Sequence, residues 1–206
     1  PEGAARLRGG ALERVLPVRL DPSRTAADES ALVLMLDTSG SMDSTGSEKP
    51  ALRVGLETVR ALTSLLTDRD RYGVIAFDVS ARVLRPLGPA GPAATAPAQP
   101  WDLAASGGTD WAPALDLALD WLAGDPAARR HIVLISDGRL APGATGEPGR
   151  VWPEGVTLSA VSIGVDADRA TLTRLASGHG GRHEHVSGLD DLPVALSDRL
   201  EIIKHV

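Results

Sequence analysis

Four apolar runs of strand length punctuate this chain, and they constrain its fold more than any other feature. "ALVLMLD" (31 to 37), "YGVIAFD" (72 to 78), "RHIVLISD" (130 to 137) and "VTLSAVSIG" (156 to 164) are almost continuously hydrophobic rather than alternating. A strand reads this way when both its faces are covered, as in a parallel sheet sandwiched between helices. The segments between them carry the helical period. In "KPALRVGLETVRALTSLLTD", Leu52, Leu56, Val59, Leu62 and Leu66 recur every three or four residues, with Pro50 near the first turn. "WAPALDLALDWL" (111 to 122) and "DRATLTRLA" (168 to 176) predict shorter helices, and a final helix is expected from Leu189, opening on acidic residues. Strands alternating with helices predict an α/β domain, doubly wound around a mainly parallel sheet with helices on both faces. "ARVLRP" (81 to 86) follows a very short turn and is expected to form an antiparallel edge strand.

The remaining segments read as connections. "PLGPAGPAATAPAQP" (86 to 100) holds too many breakers for a regular helix, and "APGATGEPGR" (141 to 150) is a second irregular loop. Residues 1–27 are expected to be an extension that packs on the domain or links it to a neighbour, "ERVLPVRL" forming either an edge strand or a surface segment, with the domain proper spanning 28–206. A start at Pro1 reads as a segment cut from a longer protein. No apolar run reaches the ~20 residues of a membrane-spanning helix, so no direct membrane insertion is expected of this segment. The 206 residues carry a net charge of −6, against the basic footprint of a nucleic-acid binder. With no cysteine, disulfides, thiolate metal sites and cysteine nucleophiles are excluded.

Ligands of open α/β sheets bind at the carboxyl ends of the strands, and three polar elements fall there: "DTSGS", "GGTD" and "SDG". They supply Asp37, Ser39, Ser41, Thr109 and Asp137. Two carboxylates and three hydroxyls are hard oxygen donors, suited to Mg²⁺ or Mn²⁺, less to Ca²⁺, and poorly to zinc or copper. Two aspartates balance a dication without exceeding it, which leaves the ion able to take an anionic ligand such as another protein's carboxylate.

Taken together, these residues resemble the metal-ion-dependent adhesion site of a von Willebrand factor type A domain: D-x-S-x-S, a distant Thr and a distant Asp, in that order. The resemblance covers roughly residues 28–206 and the motif is complete. It implies a Rossmann-like fold in which Asp37 ends a central strand, Ser39 and Ser41 bind the ion directly, and Thr109 and Asp137 bind it directly or through water. It also implies a protein partner presenting an Asp or Glu, and a C-terminal helix, here 189–205, that shifts with ligand. "RHIVLISDG", "VTLSAVSIGVDAD" and "LPV" look most like bacterial domains carried by large membrane proteins related to glutamine amidotransferases, which implies a membrane-anchored parent. Some bacterial relatives work with a separate MoxR- or chelatase-type ATPase, which gives the alternative reading of a regulatory or structural subunit. This chain has no nucleotide-binding loop of its own.

An enzyme is not expected. A D-x-D-x-T phosphotransferase needs an acid where Ser39 stands, and no G-x-S-x-G surrounds a candidate nucleophile. Gly107 and Gly108 are expected to let the backbone approach the ion, Asp110 to cap the helix near Trp111, and Asp78 to serve a turn. His183 and His185 share one face of a strand and read as a solvated strand end; "GHGG" is not in the place of a dinucleotide loop. Trp101, Trp111, Trp121 and Trp152 read as anchors, with Trp111 and Trp152 candidates for the rim of the metal site.

Overall fold

The computed structural model describes residues 29–43, 50–91 and 101–187. Six strands form one sheet in the order β3-β2-β1-β4-β5-β6. They are β1 (Ser30–Asp37), β2 (Arg71–Phe77), β3 (Ala81–Pro89), β4 (Arg129–Ser136), β5 (Val156–Ile163) and β6 (Gly180–Val186). Helices α1 (Ala51–Ser64), α2 (Ala112–Ala123) and α3 (Arg169–Gly178) connect them, and a 3-10 turn spans Gly40–Asp43. All pairs are parallel except β2 with β3.

The continuous hydrophobicity of the strands has the expected cause. Ala31, Val33 and Met35 point to one face, where Leu115, Leu119 and Leu122 of α2 and Leu172 of α3 meet them. Leu32, Leu34 and Leu36 point to the other, against Leu52, Val54, Val59 and Leu62 of α1. Every residue of β1 is buried. Helix α1 lies so close that a Cβ on Gly55 would stand 2.6 Å from Leu36 Cδ1. Leu56 and Leu66 are only partly buried, and Leu66 falls beyond the end of α1.

Two expectations are corrected. The edge strand runs on to Pro89 through residues assigned to the irregular connection. Its prolines are tolerated because an edge strand leaves one side unpaired. The register slips twice against β2, between Tyr72 and Val74 and again before Ile75. Arg85 lies where the ladder breaks, its guanidinium donating to the Tyr72 and Pro89 carbonyls while stacking 3.8 Å over the Tyr72 ring. His183 and His185 do share a face of β6, but they are half-buried rather than solvated, and both meet Ser162 Oγ at 2.9 Å. The expected extension (1–27), the connection 92–100 and the helix from Leu189 lie outside the described residues.

Candidate metal centre

Strand order reverses at β1, which has β2 on one side and β4 on the other. At such a point successive connections leave in opposite directions and open a crevice at the strand ends. Asp37 is the last residue of β1, and Asp137 directly follows β4 on the adjoining strand.

The Asp37 carboxylate is fully buried and held on both oxygens. Oδ1 accepts from the Ser39 backbone N–H at 2.8 Å, which bends the chain so that Ser39 and Ser41 follow in a tight turn. Oδ2 accepts from Ser136 Oγ at 2.5 Å. Ser136 Oγ in turn accepts from the Gly138 N–H at 2.9 Å, so this one hydroxyl ties the first acid to the loop carrying the second. Ser39 and Ser41 place their hydroxyl oxygens 3.2 Å apart. Thr38, between the motif positions, turns away and donates to the Phe77 carbonyl at 2.9 Å.

Main-chain hydrogen bonds knit the three loops together. Gly40 N–H donates to Gly107 O at 3.0 Å and Ser106 N–H to Thr38 O at 2.8 Å, which brings the loop bearing Thr109 against the loop bearing the serines. Ala141 N–H donates to Thr109 O at 2.8 Å, joining Thr109 to the segment after Asp137. Asp168 N–H donates to Asp137 O at 2.7 Å. Asp37, Ser39, Thr109 and Asp137 are all buried and Ser41 is half-exposed, so the one ligand candidate facing outward is a hydroxyl.

Electrostatically the two buried acids are met by one cation, the Arg139 side chain 3.5 Å from Asp137. Burial pushes the Asp37 carboxyl up to about 6, against the hydrogen bonds from Ser136 and Ser39, and the neighbouring Asp137 charge adds to the rise. Asp137 Oδ1 accepts from the Arg139 N–H at 3.0 Å, but its Oδ2 is buried with no hydrogen-bond partner. Of the five candidate ligands, Ser41 and Asp137 line a cavity of about 20 Å³, shared with Arg139 and Asp166, enough for one water-sized species. An orphaned buried carboxylate oxygen, a raised carboxyl and paired hydroxyls fit a hard divalent cation. Among the described residues no three His, Cys, Asp or Glu side chains gather as a metal cluster, so the donor set depends on its hydroxyls.

Asp110 and Asp78 take the places expected of them, and Trp111 and Trp152 do not. Gly107 adopts φ +78° and a Cβ there would face Asp78, while one on Gly108 would press on Val79 and Ala141. Gly107 is required by its dihedral, and Gly108 by the close approach of Ala141 and Val79. Asp110 Oδ1 accepts from the Ala112 N–H at 3.0 Å at the start of α2, and Asp78 Oδ1 accepts from Ser80 N–H and Oγ in the β2–β3 turn. Trp111 is not at the rim: it is 2% exposed in the core and its Nε1 donates to Gly146 O at 3.0 Å. Trp152 stacks on His179, with ring centroids 3.6 Å apart, and donates to Val156 O at the first residue of β5, the opposite end of the sheet from the acids. Sequence reasoning missed Ser136 and Arg139. Their only signal was adjacency to the motif in "SDGR".

The comparisons agree with this architecture. No curated protein sequence matches the chain. A von Willebrand factor type A protein from Catenulispora acidiphila shares the fold with a TM-score of 0.68 at 23% identity, over 83% of this chain and 42% of its own length. BatB from Bacteroides thetaiotaomicron superposes with a TM-score of 0.65 at 19% identity, over 84% of this chain and 97% of its own. Proximal thread matrix protein 1 from the mussel byssus, described with a zinc-occupied MIDAS motif, gives 0.60 at 16% identity, over 84% of this chain and 48% of its own. The sequence model of the von Willebrand factor type A domain matches residues 32–139, just over half of the 206-residue chain, from β1 through the loop after Asp137. The chain therefore belongs to the von Willebrand factor type A domain family.

Proposed function

We propose that this domain is a non-enzymatic, divalent-cation-dependent protein-binding module, in which a partner's Asp or Glu completes the shell of an ion held by Asp37, Ser39, Ser41, Thr109 and Asp137. Domains of this family generally mediate protein interactions. The observation that carries the metal-dependent reading is Asp137 Oδ2, a buried carboxylate oxygen without a hydrogen bond, which the Arg139 side chain approaches only to an ion-pair distance of 3.5 Å. A buried carboxylate oxygen left without a hydrogen bond or ligand is costly, and a distant guanidinium offsets its charge without saturating it.

When bound, the ion supplies a Lewis-acidic seat for an incoming carboxylate. The chain's own residues supply the rest. Asp37 and Asp137 provide the charge that retains a dication, Ser39 and Ser41 add neutral oxygens, and Ser136 fixes the orientation of Asp37. Neutral hydroxyls leave the cation electrophilic, which favours an anionic partner group over water. Beside Thr38 and Ser106 opens a cleft of roughly 370 Å³, lined also by Asp78, Arg82 and Asp102, which accommodates residues flanking the partner's acid. Oxygen donors favour Mg²⁺ or Mn²⁺. The zinc named for the mussel protein makes that ion a necessary comparison.

Calorimetric titration of Mg²⁺, Mn²⁺, Ca²⁺ and Zn²⁺ into chelator-stripped wild type and Asp37→Ala is the direct test. One-site binding lost in the variant is expected, with partner retention in Mg²⁺ and release by chelator. A folded wild type that binds none of the four would overturn the metal-dependent reading. Turnover of aryl phosphates or esters that disappears in Asp37→Ala would overturn the non-enzymatic one.

A further inference from the structure

Arg139 stands two residues after Asp137, where the chain leaves β4, and two of its groups address that one carboxylate. Its backbone N–H donates to Oδ1 at 3.0 Å. Its side-chain Nε lies 3.5 Å from Oδ2, an ion-pair distance too long for a hydrogen bond. The carboxylate side chain is 4% exposed and the arginine side chain 44%, so a guanidinium rooted in solvent reaches toward a buried anion. It neutralises Oδ2 without satisfying it. A second acid, Asp166, lies 4.0 Å from the Arg139 Nη2 atom and is 78% exposed. Ser41, Asp137, Arg139 and Asp166 all line the same cavity of about 20 Å³.

A buried carboxylate is stabilised by a nearby cation, and either a guanidinium or a metal ion can serve. Both together repel. Arginine stays charged at any accessible pH, so it cannot relieve that repulsion by losing a proton and must move instead. Its exposure leaves it free to do so, and Asp166 offers an outward counter-charge.

We propose that Arg139 is the internal counter-cation of Asp137. In the ion-free protein it neutralises that carboxylate and competes with the divalent ion for it; on ion binding it turns outward to Asp166 at the rim. This inference rests on the ion site proposed above. Removing one positive charge a few ångströms from a dication near the surface changes affinity by roughly three- to tenfold.

The test is calorimetric titration of Mn²⁺ into wild type, Arg139→Gln, Arg150→Gln and Asp37→Ala, with thermal melts of each in chelator and in excess Mn²⁺. Arg150 pairs with Asp120 at 3.0 Å on the surface and controls for a general loss of positive charge. Arg139→Gln should bind Mn²⁺ about three- to tenfold more tightly than wild type, with Arg150→Gln within about twofold. In chelator Arg139→Gln should melt below wild type, and Mn²⁺ should raise its midpoint by more. Unchanged or weaker binding by Arg139→Gln, or equal tightening by Arg150→Gln, overturns the assignment while wild-type binding that Asp37→Ala abolishes leaves the ion site standing. Absence of Mn²⁺ binding in folded wild type overturns both.

Discussion

Two buried titratable residues pull the acid–base behaviour of the ion-free fold in opposite directions. Asp37 is pushed up to about 6 from 3.8, chiefly by burial. The folded state therefore holds that proton more tightly than the unfolded chain. Its contribution is full below pH 3.8 and is lost as pH rises to about 6, which amounts to about 3 kcal/mol. His131 is 3% exposed, with Nδ1 at 2.5 Å from Thr157 Oγ1 and Nε2 without a partner, and burial pushes it down to about 4 from 6.5. Here the unfolded chain takes up the proton first, so stability falls by about 3 kcal/mol as pH drops from 6.5 through 4. The two trends oppose each other, while His179, also pushed down by burial, adds to the second, so denaturant unfolding in chelator should show wild type losing less stability than Asp37→Asn as pH falls from 6.5 to 4. Asp37→Asn removes one of them: it should be more stable than wild type at pH 7.5 by about 1–3 kcal/mol and weaken on acidification. A wild type that loses stability as steeply as Asp37→Asn contradicts the account. At this scale the sequence made the motif acids and hydroxyls legible because each is polar and sits where an apolar run ends. Ser136 and His131 were illegible for the converse reason, since each is one polar residue in a strand whose partners come from other strands.

Among the elements, the turn after β4 carries the tightest local constraint on the candidate site. Gly138 adopts φ +78°, and a Cβ there would stand 2.7 Å from Asp168 O and 3.0 Å from Leu172. The first contact is backbone at the start of α3, where Asp168 accepts from Thr171 N–H at 3.0 Å and from Thr171 Oγ1 at 2.7 Å. The strained dihedral costs about 1–2 kcal/mol and overpacking typically 1–3 kcal/mol. Gly138→Ala should therefore lower stability in denaturant by about 2–5 kcal/mol, and it should weaken ion binding because Asp137 moves with its neighbour. Asp168→Ala removes only the cap and should cost about 1 kcal/mol by the same measurement. A Gly138→Ala protein as stable as wild type would mean the turn is softer than its contacts indicate. The α1, α2 and α3 periodicities and the buried strands were legible because amphipathic and two-sided burial leave different patterns. The reach of β3 was not. Pro86 and Pro89 look like breakers, and what admits them is the free side of an edge strand together with the register slips at Arg85. Asp70 was also missed: it accepts from Ser30 N–H at 3.2 Å and from Thr67 N–H and Oγ1 at 2.8 Å, fastening β1 to the turn before β2 through a contact forty residues apart.

For the molecule as a whole, the candidate ion site and the core are separable. Strand β1 is buried along its length by apolar contacts on both faces, independent of anything bound at its end. Ion binding should then add to a fold that already exists, by mass action on the native state alone. At a hundred times the dissociation constant, that linkage contributes about 2.7 kcal/mol. A chain of this size shifts its melting midpoint by roughly 2–4 °C for each kcal/mol. Mg²⁺ or Mn²⁺ at that level should raise the midpoint of stripped wild type by about 5–10 °C, and Asp37→Ala should show no such rise. The stripped protein should still melt cooperatively. A cooperative melt that appears only with metal would mean the ion organises the fold, as a structural zinc does. Equal stabilisation of wild type and Asp37→Ala would place the ion elsewhere, because a dication cannot be held as well at this crevice after half of its carboxylate charge is removed.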